Sequence, residues 1–296
     1  MLFRSTDFSD FSDRALGYAV ALARWYDARI SSAFVIPPLS STVVFPPGIA
    51  PVPVEPAPKA WLQEKVERFL APARDAGVPA DAEVLEGNPA EAILSMARTM
   101  PADLLLLGTH GRGGFERWVL GSVTEKVLRK ASCPTLTVTL RAMPPSVEGR
   151  PPFERILCPV DFSAPSLRAV EYALTLAQEA YGRIVLLHVM EVLSGEEFYA
   201  PGQVDLGEYH DRAELDLHAR LKQSIPEAAR NWCQPEDMVT RGKPYKQILR
   251  VAEEQKADLI VMGIHGRNPL DLMLFGSTTQ HVVRAASCPV LTIRSG

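Results

Sequence analysis

Cysteine is scarce: four in 296 residues, at positions 133, 158, 233 and 288. No Cys-x-x-Cys occurs and none of the four has metal-ligand spacing, so neither a cysteine-based redox motif nor a zinc cage is indicated. A reduced, cytoplasmic chain is the simplest expectation. No apolar run approaches the length of a membrane span, and the start MLFRSTDFSD lacks an apolar signal core. Membrane partners and secretion are therefore not expected. The net charge is −4 with Lys and Arg scattered rather than gathered in a stripe, which argues against a nucleic-acid partner. Familiar nucleotide motifs are missing as well. There is no Gly-x4-Gly-Lys-Ser/Thr, no Ser-Gly-Gly-x-Asp-Ser loop, and no Gly-x-Gly-x-x-Gly after a first strand.

What is present is enough apolar material for real cores, 47% of the chain, over a length that suits two domains. The chain is also written twice. GTHGRGGFERWVLGS (108–122) and GIHGRNPLDLMLFGS (263–277) share Gly, two residues, Gly, nine residues, Gly-Ser. STDFSD (5–10) aligns with PVDFSA (159–164), GNP (87–89) with GKP (242–244), and KASCPTLTV (130–138) with AASCPVLTI (285–293). The offset stays at 154 or 155 residues throughout, so a whole domain is duplicated. The intervening RAMPPSVEGRPPF (141–153), with four prolines, reads as a linker. The expected organisation is a first domain over 1–141, a linker over 142–153 and a second domain over 154–296.

Each copy alternates short apolar runs with helical periodicity. In the second copy strands are expected at 155–160, 184–189, 237–241, 258–263 and 290–294, with Ser163 capping a helix that holds Pro165 in its first turn. Continuous apolar strands between helices indicate an α/β fold with a parallel sheet covered on both faces. The expectation is two tandem doubly wound five-stranded parallel sheets, in a flavodoxin-like order or its relative 3-2-1-4-5, packed as a pseudo-dimer. Ligands in such sheets bind beyond the carboxyl ends of the strands where the order reverses, which with order 3-2-1-4-5 lies between strands one and four. Asp7 and Asp161 end strand one, and the two Gly-x-His-Gly loops end strand four.

The chemistry of these loops suits phosphate. Glycine lets the backbone approach a ligand closely, and the helix that starts at Gly-Ser offers unpaired N–H groups with a partial positive charge. Arg112 and Arg267 follow the loops and suit a charge-assisted phosphate contact. Simpler roles stand beside these. Ser122-Val123-Thr124-Glu125 and Ser277-Thr278-Thr279-Gln280 read as capping boxes. The strand-end Asp-Phe-Ser also suits a turn, and Cys133 and Cys288 read as packing residues.

Gly-x2-Gly-x9-Gly-Ser, an Asp at the end of strand one and a Gly-x-Pro before the third helix together resemble the universal stress protein family, over nearly the whole chain. The resemblance implies the 3-2-1-4-5 sheet, ATP binding with Mg²⁺, and pairing of the strand-five edges between domains. It implies base and ribose contacts at Asp7 and Val35 in the first copy, and at Pro159, Val160, Asp161 and Val189 in the second. Phosphate and ribose contacts then fall on Gly108, His110, Gly111, Gly121, Ser122, Val123 and Thr124. Their counterparts are Gly263, His265, Gly266, Gly276, Ser277, Thr278 and Thr279.

The first copy departs from the second at its central strand, where Arg4 stands in place of Cys158. A charge there is expected to disorder the strand if it stays under the helices. Residues 37–58, with eight prolines, are expected to be a lid, a partner-binding segment or plain disorder. The leading functional expectation is a cytoplasmic, ATP-binding stress-response protein acting through ligand-dependent conformation or an unnamed protein partner, with further self-association open. The rival is an ATPase or a phosphoryl- or nucleotidyl-transferring enzyme with His110 and His265 as bases. No acidic metal cluster or nucleophile-base pair in the motif supports that rival.

Overall fold

A computed structural model describes residues 1–38, 57–110, 120–145, 150–191, 206–264 and 276–294, with backbone only for 206–210. The first half contains β1 (Leu2–Thr6), α1 (Asp10–Trp25), β2 (Ile30–Ile36), α2 (Lys59–Phe69), α3 (Ala71–Asp75), β3 (Ala80–Glu86), α4 (Pro89–Thr99), β4 (Leu104–Gly108), α5 (Ser122–Lys130) and β5 (Thr135–Val138). The second contains β6 (Arg155–Pro159), α6 (Ala164–Glu179), β7 (Arg183–Met190), α7 (Leu206–Gln223), β8 (Gln234–Arg241), α8 (Pro244–Glu254), β9 (Leu259–Gly263), α9 (Ser277–Ala285) and β10 (Val290–Ile293).

The ten strands form one continuous sheet in the order β3-β2-β1-β4-β5-β10-β9-β6-β7-β8. The two expected five-stranded sheets are thus joined into one, through the strand-five pairing that the resemblance implies. Each half keeps the 3-2-1-4-5 order and is parallel within itself. The halves are fused by an antiparallel pairing of β5 with β10, Val290 opposite Thr137 and Thr292 opposite Thr135. The physical reason is that an edge strand carries a row of unpaired backbone groups, and each half supplies one that the other can satisfy. Threonine hydroxyls reinforce the seam: Thr137 Oγ1 donates to Val290 O at 3.1 Å, Thr292 Oγ1 to Thr135 O at 3.1 Å and Thr139 Oγ1 to Ala286 O at 3.0 Å.

Helices cover both faces. On one face a single apolar cluster runs through both halves, from Leu2, Leu16 and Ala19 to Ala169, Ala173 and Leu291. The other face holds a first-half cluster under α4 and α5 and a second cluster under α8 and α9 that also takes in Leu120 and Leu128 of the first half. The described ends of the linker are packed rather than loose. Ala142 and Phe153 are buried, Phe153 stacks on Tyr18 with centroids 6.0 Å apart, and Tyr18 Oη donates to Met143 O. No helix among the described residues is long and apolar enough to cross a membrane.

Arg4 corrects an expectation. It is fully buried under α1 and α2, yet β1 is intact and in register with both β2 and β4. Its Nη2 donates to Ser12 O at 2.8 Å, and its guanidinium lies 4.7 Å from the centre of the Phe69 ring. These contacts compensate part of the burial, so the strand does not come apart.

Candidate functional site

The order β2-β1-β4 reverses the winding direction between β1 and β4, and the same holds between β6 and β9. Register places the ends of the paired strands level. Arg4 lies beside Leu106, so Thr6 and Gly108 end together, and Leu157 beside Ile260 brings Val160 level with Gly263. Asp7 and Asp161 therefore stand on one lip of each crevice and the strand-four glycines on the other.

On the first lip each aspartate organises the turn into the next helix. Asp7 Oδ1 accepts from Ser9 N at 3.1 Å, Ser9 Oγ at 2.6 Å and Ser12 Oγ at 2.7 Å. Asp161 Oδ1 accepts from Ser163 N at 2.9 Å and Ser163 Oγ at 2.6 Å. Ser9 and Ser163 are the N-caps of α1 and α6, as the Ser163-Pro165 pattern predicts. The residue after each aspartate is held at positive φ, Phe8 at 60° and Phe162 at 63°. A bulky residue rarely adopts this conformation, and strain of this kind gathers at functional sites. The ring of Phe8 stacks on Phe34 at 5.0 Å under the Lys65 ammonium, and that of Phe162 sits 5.1 Å from His188 under the Arg220 guanidinium. Neither phenylalanine is among the expected site residues, although the doubled Asp-Phe-Ser carries their signal.

On the second lip the strand-four glycines are required by packing. A Cβ on Gly108 would lie 2.7 Å from Phe11 Cβ, and one on Gly263 would lie 2.9 Å from Pro165. The start of α1 or α6 thus crosses directly over the end of β4 or β9. Neither glycine is at positive φ; the turn-forming glycines are Gly87 and Gly242 of Gly-x-Pro, at 125° and 136°.

Beyond β4, Gly121 N donates to Thr109 O at 2.9 Å, and Thr124 Oγ1 donates to Gly108 O at 2.8 Å. These bonds hold the start of α5 against the end of β4. The second copy repeats the tie, with Thr279 Oγ1 donating to Gly263 O at 3.2 Å. The capping-box expectation is overturned here. Gly121 and Gly276 are the N-cap residues, Ser122 and Ser277 are the first residues inside the helices, and neither helix has a side-chain cap. A serine one position too late cannot reach back to the amides it would cap, so the N-cap residue gives the helix-start N–H groups no side-chain acceptor.

The remaining expected residues fall as follows. Val35 and Val160 are buried, and Val189 is half-buried at the end of β7. Pro159 closes β6. The backbone of Val160 is engaged on both sides: its N donates to Leu187 O at 2.8 Å, and its carbonyl lies 2.6 Å from His188 Nδ1, which must therefore carry the proton. His110 Nδ1 lies 3.0 Å from Thr109 Oγ1, and its ring lies 5.0 Å from that of Phe11. Val123 and Thr278 are half-buried beside their serines. Gly111, Arg112, His265, Gly266 and Arg267 lie outside the described residues, as do positions 39–56 of the Pro-rich segment. Among the described residues no group of three or more His, Cys, Asp or Glu is gathered to hold a metal ion.

A family model described as the universal stress protein family matches residues 5–139 and 152–294. The chain belongs to the universal stress protein family. Within it, a Mycobacterium tuberculosis universal stress protein is 27% identical over 273 residues, covering 87% of each chain. A Methanocaldococcus jannaschii member is 36% identical over 143 residues, 45% of this chain and 78% of that protein, so it matches one half. The crystal structure of a universal stress protein from Archaeoglobus fulgidus superposes with a TM-score of 0.67 at 24% identity, covering 100% of this chain and 98% of that one. That likeness establishes the tandem fold.

Proposed function

We propose that this universal stress protein binds adenine nucleotide, ATP before ADP or AMP, in both crevices, and signals by nucleotide-dependent conformation or partner binding. The observation that carries this reading is the facing pair repeated in each half. A strand-end aspartate stands on one lip, and an uncapped helix start, tied to the end of strand four by a threonine, stands on the other. The helix start suits the phosphates, and the carboxylate suits a ribose hydroxyl or a base N–H. Gly111, Arg112, Gly266 and Arg267 complete the phosphate half in this reading. Mg²⁺ arrives on the triphosphate oxygens, because the described residues offer no carboxylate cluster of their own. The functional units are 1–141 and 154–296, and the fused sheet serves as an intramolecular dimer.

The test is calorimetric titration of ATP with Mg²⁺, together with identification of any nucleotide released on denaturing the purified protein. Two bound nucleotides are expected, with Asp7→Ala and Asp161→Ala each weakening one. No binding at millimolar ATP and no released nucleotide would sink the reading.

A further inference from the structure

The two copies place the same serine at the same point of their first helix and use it differently. In the first copy Ser12 Oγ donates to Asp7 Oδ1 at 2.7 Å and accepts from Asp7 N at 3.2 Å, so it grips both the side chain and the backbone of the aspartate. In the second copy Ser166 Oγ donates to Ser163 O at 3.0 Å, inside its own helix turn. The residue beneath differs too. Arg4 Nη2 donates to Ser12 O at 2.8 Å, whereas the equivalent Cys158 is a buried thiol with no such reach.

We propose that Arg4 is a positioning residue for the first nucleotide site: by anchoring Ser12 it holds the Asp7 carboxylate in the orientation that receives the ligand, a device the second site lacks. This rests on reading the crevices as nucleotide sites. Three observations support it. The core position does not need a cation, because Cys158 fills it in the second half of the same sheet. The cation is also poorly served as a structural element, because Arg4 Nε and Nη1 are buried without partners. Ser32 Oγ, on the adjacent strand in register with Arg4, is likewise unpartnered. Finally, the one hydrogen bond Arg4 makes leads through Ser12 to Asp7, and the carboxylates that attract its charge are Asp13 and Asp7. The serine fixes where the strand-end carboxylate points.

The experiment is ATP titration of the full chain and of five variants, with thermal midpoints recorded in parallel. Arg4→Met and Ser12→Ala are each expected to weaken one of the two binding steps about tenfold, the loss of one charge-assisted hydrogen bond. The double variant should be no weaker than either single one, because both cut the same chain of contacts. Ser166→Ala should leave both steps unchanged. Arg4→Lys, which keeps a cation facing Ser12 O, should recover part of the affinity. An Arg4→Met protein that still binds two nucleotides with unchanged affinities overturns the proposal alone. So do equal losses from Ser12→Ala and Ser166→Ala, or weakening of both steps with a lowered thermal midpoint. A wild-type chain that binds no nucleotide overturns the two-site reading, and the proposal falls with it.

Discussion

Replacing Arg4 by methionine should make the protein more stable. The side chain is fully buried, and only Nη2 has a hydrogen-bond partner. Burial lowers the guanidinium well below its ordinary range, to about 9, even with Asp13 and Asp7 pulling the other way. The group stays charged at neutral pH, and that depression corresponds to about 5 kcal/mol spent on keeping it so. The sign follows from proton binding. The unfolded chain holds this proton more tightly than the folded one, so at pH 7 the charge opposes folding. The penalty fades only as pH rises above about 9. Methionine keeps a similar stem and removes the charge, but forfeits the charged bond to Ser12 O, worth about 1.5–3 kcal/mol. The net expectation is a gain of about 2 kcal/mol, within the span seen when buried charges give way to apolar residues. For a chain of this size that is a rise of about 5 °C in thermal midpoint, read by circular dichroism. A midpoint lowered by a similar amount would refute the reasoning, because Arg4 would then be holding β1 in place. Together with the affinity loss proposed above, the variant should be stabler and a poorer binder at once, a combination that a purely structural residue does not produce.

Gly108→Ala and Gly263→Ala should each destabilise by about 1–3 kcal/mol, because the new methyl meets Phe11 or the Pro165 backbone and the crossing helix must shift; urea midpoints equal to wild type would refute the packing role. Thr124→Val should lose about 1 kcal/mol of stability and loosen α5 from Gly108 O, with faster amide exchange at Gly121 and Glu125 as the readout. Unchanged exchange would show that the tie does not fix the helix start. In native protein a thiol reagent at pH 8 should label Cys133 first. Cys158 and Cys288 are buried, burial pushes both thiols up, Cys288 to about 12, and Cys233 is buried as well. Labelling of Cys158 or Cys288 as fast as Cys133, followed by mass spectrometry of peptides, would contradict the burial.

The strands and helices were legible because apolar runs and helical periodicity carry them. The expected strand at 184–189 is observed as Arg183–Met190, and the helix expected after Ser163 as Ala164–Glu179. The convergence of Asp7 with the end of β4 was legible once the resemblance selected the order 3-2-1-4-5, since the α/β pattern alone also allows a flavodoxin-like order. The cap was not. Ser-x-x-Glu reads identically whether the serine is the N-cap or the first helical residue, and only the backbone geometry at Gly121 decides. The role of Gly108 was hidden for a different reason: it depends on Phe11, nearly a hundred residues away, crossing above it. The positive φ of Phe8 and Phe162 is likewise a tertiary demand that residue preference argues against. The fusion of the halves into one sheet came only through the family resemblance, since nothing in a strand's composition names its neighbour across a seam.

That seam bears on why the two sites differ. In a homodimer built on the same edge pairing, any substitution appears at both sites, so a costly buried cation would be carried twice. In this chain β5 and β10 belong to one polypeptide, and the substitution at position 4 is carried once. The apolar cluster under α1 and α6 is continuous across the seam, so the first half, with its buried charge, shares a core with a second half that has only a thiol at the same point. A local penalty of a few kcal/mol is then held by a core larger than either half owns, and one crevice is open to specialisation while the other keeps the simpler arrangement. The different use of Ser12 and Ser166 follows from that freedom. Equivalence of the two sites would need the two copies to be constrained alike, and the fused sheet removes the constraint.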